Sequence, residues 1–237
     1  KDEALIEIGC FSLVSVILYY RFIRRIKDRG IEMELVIDWN ENQTLDRALN
    51  LGMNHFFPNT LTKGYQGFVV NDYYASLTPT CYERDHGLLP DQLYVISQLL
   101  VNRRLKYCKD FNVSLAPAFR YQRAIDYNSK PHLKRKAILV ALPMLYDESK
   151  QLLNLVLNAN LESDIDIIVK HHPTVMISKL LKNVEEANNP RLKYTERNLI
   201  DVMEEATLFV TMTSSAAIEA ILCNTYVAII ANSSAPT

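Results

Sequence analysis

The chain has 237 residues, 49% of them hydrophobic and 22% charged, with a formal net charge of -1. That length holds one large or two smaller α/β domains with real cores, and the composition excludes a disordered chain. Near-neutral charge removes any general drive toward nucleic acid, so an anionic ligand must be met by local groups. The four cysteines (Cys10, Cys81, Cys108, Cys223) are scattered without a C-x-x-C pair. No zinc site or disulfide framework is expected, and a reducing cytoplasm fits best.

In chain order, Ile8 to Tyr20 is almost wholly apolar and is followed by Arg21, Arg24, Arg25 and Lys27. The uncharged run of about 13 residues is short of the roughly 20 that a membrane span needs. It also lacks a signal peptide's flanks. A buried helix is expected, whose basic tail offers peripheral contact with a membrane surface. Gly30 leads into a strand over 33–38, which ends in Asp38-Trp39-Asn40-Glu41-Asn42-Gln43. A helix over 44–51 follows, with Gly52 as its stop. Residues 59–91, rich in Gly, Pro, Tyr and Thr, read as one long functional loop. A strand over 93–97, a helix over 98–109 and a strand over 112–115 complete the first half. The polar, basic stretch through Lys136 marks a boundary, giving domains 1–125 and 126–237.

The second half reads strand 137–142, loop 143–146, helix 147–159, strand 165–169, helix 174–187 and edge strand 191–194. A helix over 198–206, a strand over 207–211, a helix over 214–223 and a last strand over 226–231 follow. Helix and strand alternating throughout predict a mostly parallel sheet covered by helices. A doubly wound domain normally carries more helix after such a last strand, so missing terminal helices are expected.

Two phrases concentrate the chemistry. Lys170-His171-His172-Pro173 follows the strand at 165–169, and Thr213-Ser214-Ser215-Ala216-Ala217-Ile218-Glu219 follows the strand at 207–211. Strand ends that release polar residues into loops and helix starts are where open α/β sheets bind ligands. Ser214 and Ser215 either cap a helix or, with the backbone N–H groups there, hold a phosphate. Glu219, one turn on, is either an acceptor for a ribose hydroxyl or a solvated helix residue. Pro173 ends the strand and fixes where His172 points. The alternation of a strand places Lys170 and His172 on one face, where an imidazole can stabilise or protonate a leaving phosphate. The other reading is a structural His-His-Pro turn. A metal is not expected, since no carboxylate or Cys stands at motif spacing.

Strand–Lys-x-His-Pro followed by strand–x-Ser-Ser-x-x-x-Glu-Ala resembles the donor-binding half of bacterial GT-B glycosyltransferases, above all those using CMP-activated Kdo or sialic acid. The whole chain also resembles surface-carbohydrate biosynthesis proteins through Glu41-Asn42-Gln43, the His86-Gly87 of the long loop and Arg120-Tyr121. It departs from the pattern at Asn224-Thr225, where a small residue and a Gly-x-Pro are usual. The resemblance implies two Rossmann-like domains facing a cleft, an acceptor-side first domain and a second that binds the nucleotide sugar. It implies transfer from a CMP-sugar to a hydroxyl of a glycan or lipid-linked glycan in the cytoplasm, at or near the inner membrane face. No cofactor beyond that co-substrate, no metal and no nucleic acid are expected.

In that scheme the base is a carboxylate of the first domain, Glu41 first and Asp38 next, each also readable as an ordinary helix-start acid. His172, Lys170, His171, Pro173, Thr213, Ser214, Ser215 and Glu219 serve the donor. Arg120 pairs with the sugar carboxylate or makes an interdomain salt bridge. Tyr65, Phe68, Glu83 and His86 face the acceptor, with Asp85 a further candidate; Tyr65 and Phe68 stack on a sugar or simply pack the loop. The alternatives are a CDP-glycerol or UDP-sugar transferase of the same fold and a non-catalytic glycan-assembly protein.

Overall fold

The computed structural model describes residues 11–69, 75–127, 137–172, 189–212 and 214–231. The chain is α/β and forms two compact units, Lys1–Arg120 and Tyr121–Thr237. Each is built on a parallel sheet of the Rossmann-like kind that GT-B-like proteins repeat in tandem.

The first unit runs α1 (Phe11–Asp28), β1 (Leu35–Trp39), α2 (Thr44–Phe56), β2 (Leu61–Gln66) and a 3-10 turn at Ala75–Leu77. It continues with α3 (Cys81–Asp85), β3 (Gln92–Val95), α4 (Gln98–Arg104) and β4 (Val113–Leu115). The strands lie in the order β1-β2-β3-β4, all parallel. Three sequence expectations are corrected here. The first helix is not buried: Leu18 and Phe22 are exposed, and Ile23 is its buried contact with α2. Gly52 does not stop α2 but lies inside it. A Cβ there would stand 3.1 Å from the Ile23 side chain, so the glycine lets the two helices approach. Residues 59–91 are not one loop, because β2 and α3 fold within them.

The second unit runs α5 (Gln122–Tyr127), β5 (Ala137–Ala141), α6 (Tyr146–Leu157), β6 (Asp166–Lys170) and β7 (Leu192–Tyr194). It closes with α7 (Leu199–Met203), β8 (Ala206–Thr211), α8 (Ala216–Leu222) and β9 (Tyr226–Ile229). Its sheet order is β7-β6-β5-β8-β9, again all parallel. Strands buried on both faces read as continuous apolar runs, and β5 is buried at all five positions. Leu139, Ile168 and Phe209 pack one face with Ala124, Met203 and Ala220. Ile138, Val140, Ile167 and Val210 pack the other with Leu152, Leu153 and Val156 of α6. The predicted helix over 174–187 lies outside the described residues.

Candidate functional site

From β5 the chain of the second unit winds outward to β6 and β7, then crosses back to β8 and β9 on the other side. The reversal makes the carboxyl end of β5 the topological switch point, the place where open α/β sheets bind ligands. Ala141 pairs with Lys170 and Val140 with Val210, and the buried Thr211 hydroxyl donates to Ala141 O at 3.0 Å. The three strand ends therefore finish level. The His and Ser-Ser phrases leave the two strands that flank β5, about 10 Å apart at the usual strand spacing. That width suits a nucleotide lying across β5 better than one phosphate touching both backbones.

The β5 loop itself, Leu142 to Leu145, received no role from sequence. It is pinned at both ends: Leu142 N donates to Lys170 O at 2.9 Å, and the buried Ser149 hydroxyl donates to Pro143 O at 2.9 Å. Met144 and Leu145 stand exposed between these anchors, an apolar rim beside the crevice. The first turn of α6 carries Asp147 and Glu148, which disfavour an anion there. A phosphate is better served on the β8 side, where Ser214 Oγ accepts from Ala216 N at 3.2 Å and so caps α8. Ser215 is the residue before α8, with helical backbone and no capping bond from its side chain, and Glu219 falls in that helix's first turn.

On the β6 side the strand ends at Lys170, so His171 and His172 lie beyond it rather than on a shared face. Lys170 Nζ donates to Arg197 O at 2.7 Å, and His171 Nε2 stands 3.5 Å from Glu196 Oε1. Both side chains are directed to the segment after β7. His172 is half-buried at the end of β6. Pro173 and Thr213 lie outside the described residues.

In the first unit the carboxyl end of β1 gathers three carboxylates. Glu41 is held from both oxygens: Trp39 Nε1 donates to Oε1 at 3.1 Å and Gln43 Nε2 to Oε2 at 2.7 Å. Asp38 is half-buried and has one long contact, Asn40 Nδ2 to Oδ2 at 3.5 Å. Its pKa is raised above the ordinary carboxylate value by burial first and by the charge of Asp46 second, against the Asn40 bond. Asp46, which sequence reasoning missed, accepts from the Glu41 and Gln43 backbones at 3.0 and 2.8 Å and caps α2. Burial, the largest effect, raises its pKa too. Its spacing of three residues after Gln43 was the available signal.

The remaining first-unit candidates have local partners. Glu83 is buried and engages Arg47 at 2.6 Å, Asn42 at 3.3 Å, and the Thr80 backbone and hydroxyl at 2.9 and 2.8 Å. It braces α3 against the loop after β1. Tyr65 donates to Pro117 O at 2.8 Å and meets Trp39 and Phe119 edge-on or tilted, with ring centroids 5.7 and 5.8 Å away. Phe68 is buried against Trp39. His86 stacks on Tyr82 and donates from Nδ1 to Tyr82 O, while Asp85 pairs with Arg84 at 2.8 Å. Arg120 closes the first unit.

One cluster departs from the expectation that the cysteines are scattered. Cys81, Cys108 and Asp110 bring their ligand-type atoms within 4.8 Å of one another. The cysteines are 27 positions apart and meet through a parallel backbone bridge between Thr80 and Tyr107, a contact no spacing motif reports.

No protein-family model and no curated protein matches the chain. Among solved structures it is similar to MnaA of S. aureus in a co-structure with UDP, at a TM-score of 0.50 and 14% identity. The likeness covers 92% of this chain and 62% of that one, so this chain spans less than two thirds of that protein. It shows the fold: a Rossmann-like α/β arrangement found in a nucleotide-bound protein. Among the described residues no helix is long and apolar enough to cross a membrane.

Proposed function

We propose that this chain is a nucleotide-sugar enzyme whose second unit holds the nucleotide across the carboxyl end of β5. The observation that carries the proposal is the strand order β7-β6-β5-β8-β9, which sets the His and Ser-Ser phrases on the strands flanking the switch point. The likeness to a UDP-bound protein of the same fold supports it. In the finer reading, supported by the resemblance to CMP-Kdo and CMP-sialic-acid transferases, an ulosonic acid passes from CMP to a hydroxyl of a growing surface glycan. Ser214, Ser215 and the start of α8 meet the phosphate, Glu219 a ribose hydroxyl, and His172 stabilises the departing charge. The first unit supplies the base. Asp38 takes precedence over Glu41, because its carboxylate has the raised proton affinity a general base needs and fewer committed bonds. Arg120 meets the sugar carboxylate.

A UDP-sugar reaction is the second reading, favoured by the UDP in the similar structure. The exposed apolar residues of α1 beside Arg21, Arg24 and Arg25 support peripheral contact with an anionic membrane, which suits a lipid-linked acceptor. Calorimetric titration with CMP, CDP and UDP separates the readings, followed by transfer assays with the matching nucleotide sugars. Tight CMP binding that His172→Ala weakens at least tenfold is expected. Failure of all three nucleotides to bind would end the proposal, and UDP binding alone would replace the donor.

A further inference from the structure

We infer that Cys81 and Cys108 form a thiol pair that closes into an intramolecular disulfide by exchange with a small-molecule disulfide. Their sulfurs are 2.9 Å apart, with Cys81 donating to Cys108. The residues just before them, Thr80 and Tyr107, are bridged in parallel. Neighbouring positions of paired parallel backbones fall within the Cα separation a disulfide requires.

The two thiols differ in a way that orders the chemistry. Cys81 is partly exposed as the first residue of α3, whereas Cys108 is buried in the core of β3 and α4. Burial, with hydrogen bonds to Cys81 and Asp110 adding to it, pushes the Cys108 thiol up to about 12. Cys81, as thiolate, attacks the external disulfide, forming a mixed disulfide and releasing one reduced thiol. Cys108 then loses its proton and attacks the Cys81 sulfur, expelling the second reduced thiol. Two protein thiols and one external disulfide become one protein disulfide and two small thiols, so the electrons balance.

A metal ion fits the same three residues less well. Two thiolates on one tetrahedral zinc, each about 2.3 Å from it, stand nearer 3.8 Å apart. Asp110 is already engaged by Arg84 at 2.6 Å, a cation that a metal would have to displace. The link would tie the first turn of α3 to the segment entering β4. Glu83 of that helix holds Asn42, whose loop carries Glu41, so the cross-link would brace one wall of the β1 end.

The test incubates the full chain with oxidised glutathione and maps it by intact-mass and peptide mass spectrometry. The expected product has lost two hydrogens, joins the peptides holding residues 81 and 108, melts at higher temperature and reverts with dithiothreitol. Cys108→Ser should stop at a glutathione adduct on Cys81. If the single variants fail to fold, a Cys10→Ser/Cys223→Ser chain that still forms the link supports the pairing. A stable glutathione adduct on Cys81 of the unaltered chain overturns it. So does stoichiometric zinc uptake in equilibrium dialysis that Asp110→Asn abolishes, which would make the cluster a metal site.

Discussion

Among single residues, Asp38 separates a catalytic role from a structural one through the sign of its proton affinity. Its pKa is raised in the folded chain, chiefly by burial. A carboxyl of that kind favours folding below its unfolded value, and the contribution is lost as pH rises through the higher folded value. At neutral pH the ionised group is therefore a cost to stability. Asp38→Asn is expected to raise the melting temperature near pH 7 and to flatten its decline between the ordinary carboxylate value and the raised one. The same change should lower transfer by at least about a hundredfold, the usual worth of a positioned base, with nucleotide affinity unchanged. The activity of the unaltered enzyme should fall on acidification at a pH above that of an ordinary carboxylate, since the base acts only when ionised. Glu41→Gln keeps an acceptor for one of Trp39 and Gln43, turns an amide NH2 toward the other, and should cost less than tenfold. A hundredfold loss in Glu41→Gln with little change in Asp38→Asn would return the role of base to Glu41.

The elements show how far local pattern carries. The strands of the second unit were readable because their centres are apolar: β5 has no polar residue, and Ile167 to Val169 of β6 and Leu208 to Val210 of β8 have none. β2 was not. Its inward positions are Thr62, Gly64 and Gln66, all buried, and nothing in Leu-Thr-Lys-Gly-Tyr-Gln alternates in hydropathy. Each exception has a tertiary cause. Asp91 accepts from the Thr62 backbone and hydroxyl at 2.7 and 2.8 Å, and Gln66 Oε1 accepts from buried Arg104 at 2.6 Å. Gly64 leaves room for Asn40, Pro90 and Leu93 at 3.0 to 3.1 Å from where a Cβ would stand. Gly52 misled the reading for the same reason, as its partner lies on another helix. A double-mutant cycle tests that partnership. Gly52→Ala alone sets a helix-propensity gain of about 1 kcal/mol against crowding by Ile23, for little net change. In an Ile23→Ala background, itself costing about 2–5 kcal/mol, the Cγ contacts are gone and only the Cβ contact at 3.1 Å stays, so Gly52→Ala should be more favourable there than in the unaltered chain. Strict additivity in chemical denaturation would mean the two residues do not meet.

For the whole molecule, the second unit has a core on both faces of its sheet and contains every residue assigned to the nucleotide. The two strand ends proposed for the nucleotide were legible because two polar phrases followed two apolar runs. The central loop, Leu142 to Leu145, was not, because its importance comes from strand order and not from its own residues. That difference gives an expectation for hydrogen exchange on the full chain. Nucleotide alone should slow exchange at 142–146, around 171–172 and at 214–217, leaving β1 to β4 near their unliganded rates. At a ligand concentration one hundred times Kd the binding energy adds about 2.7 kcal/mol to the stability of whatever unit holds the ligand. Amides of β5 and β8 that exchange only by unfolding of the second unit should slow by about a hundredfold, the same energy expressed as a rate. Slowing centred on β1 and β2 instead would move the nucleotide to the first unit, and with it the roles assigned to His172, Ser214 and Ser215.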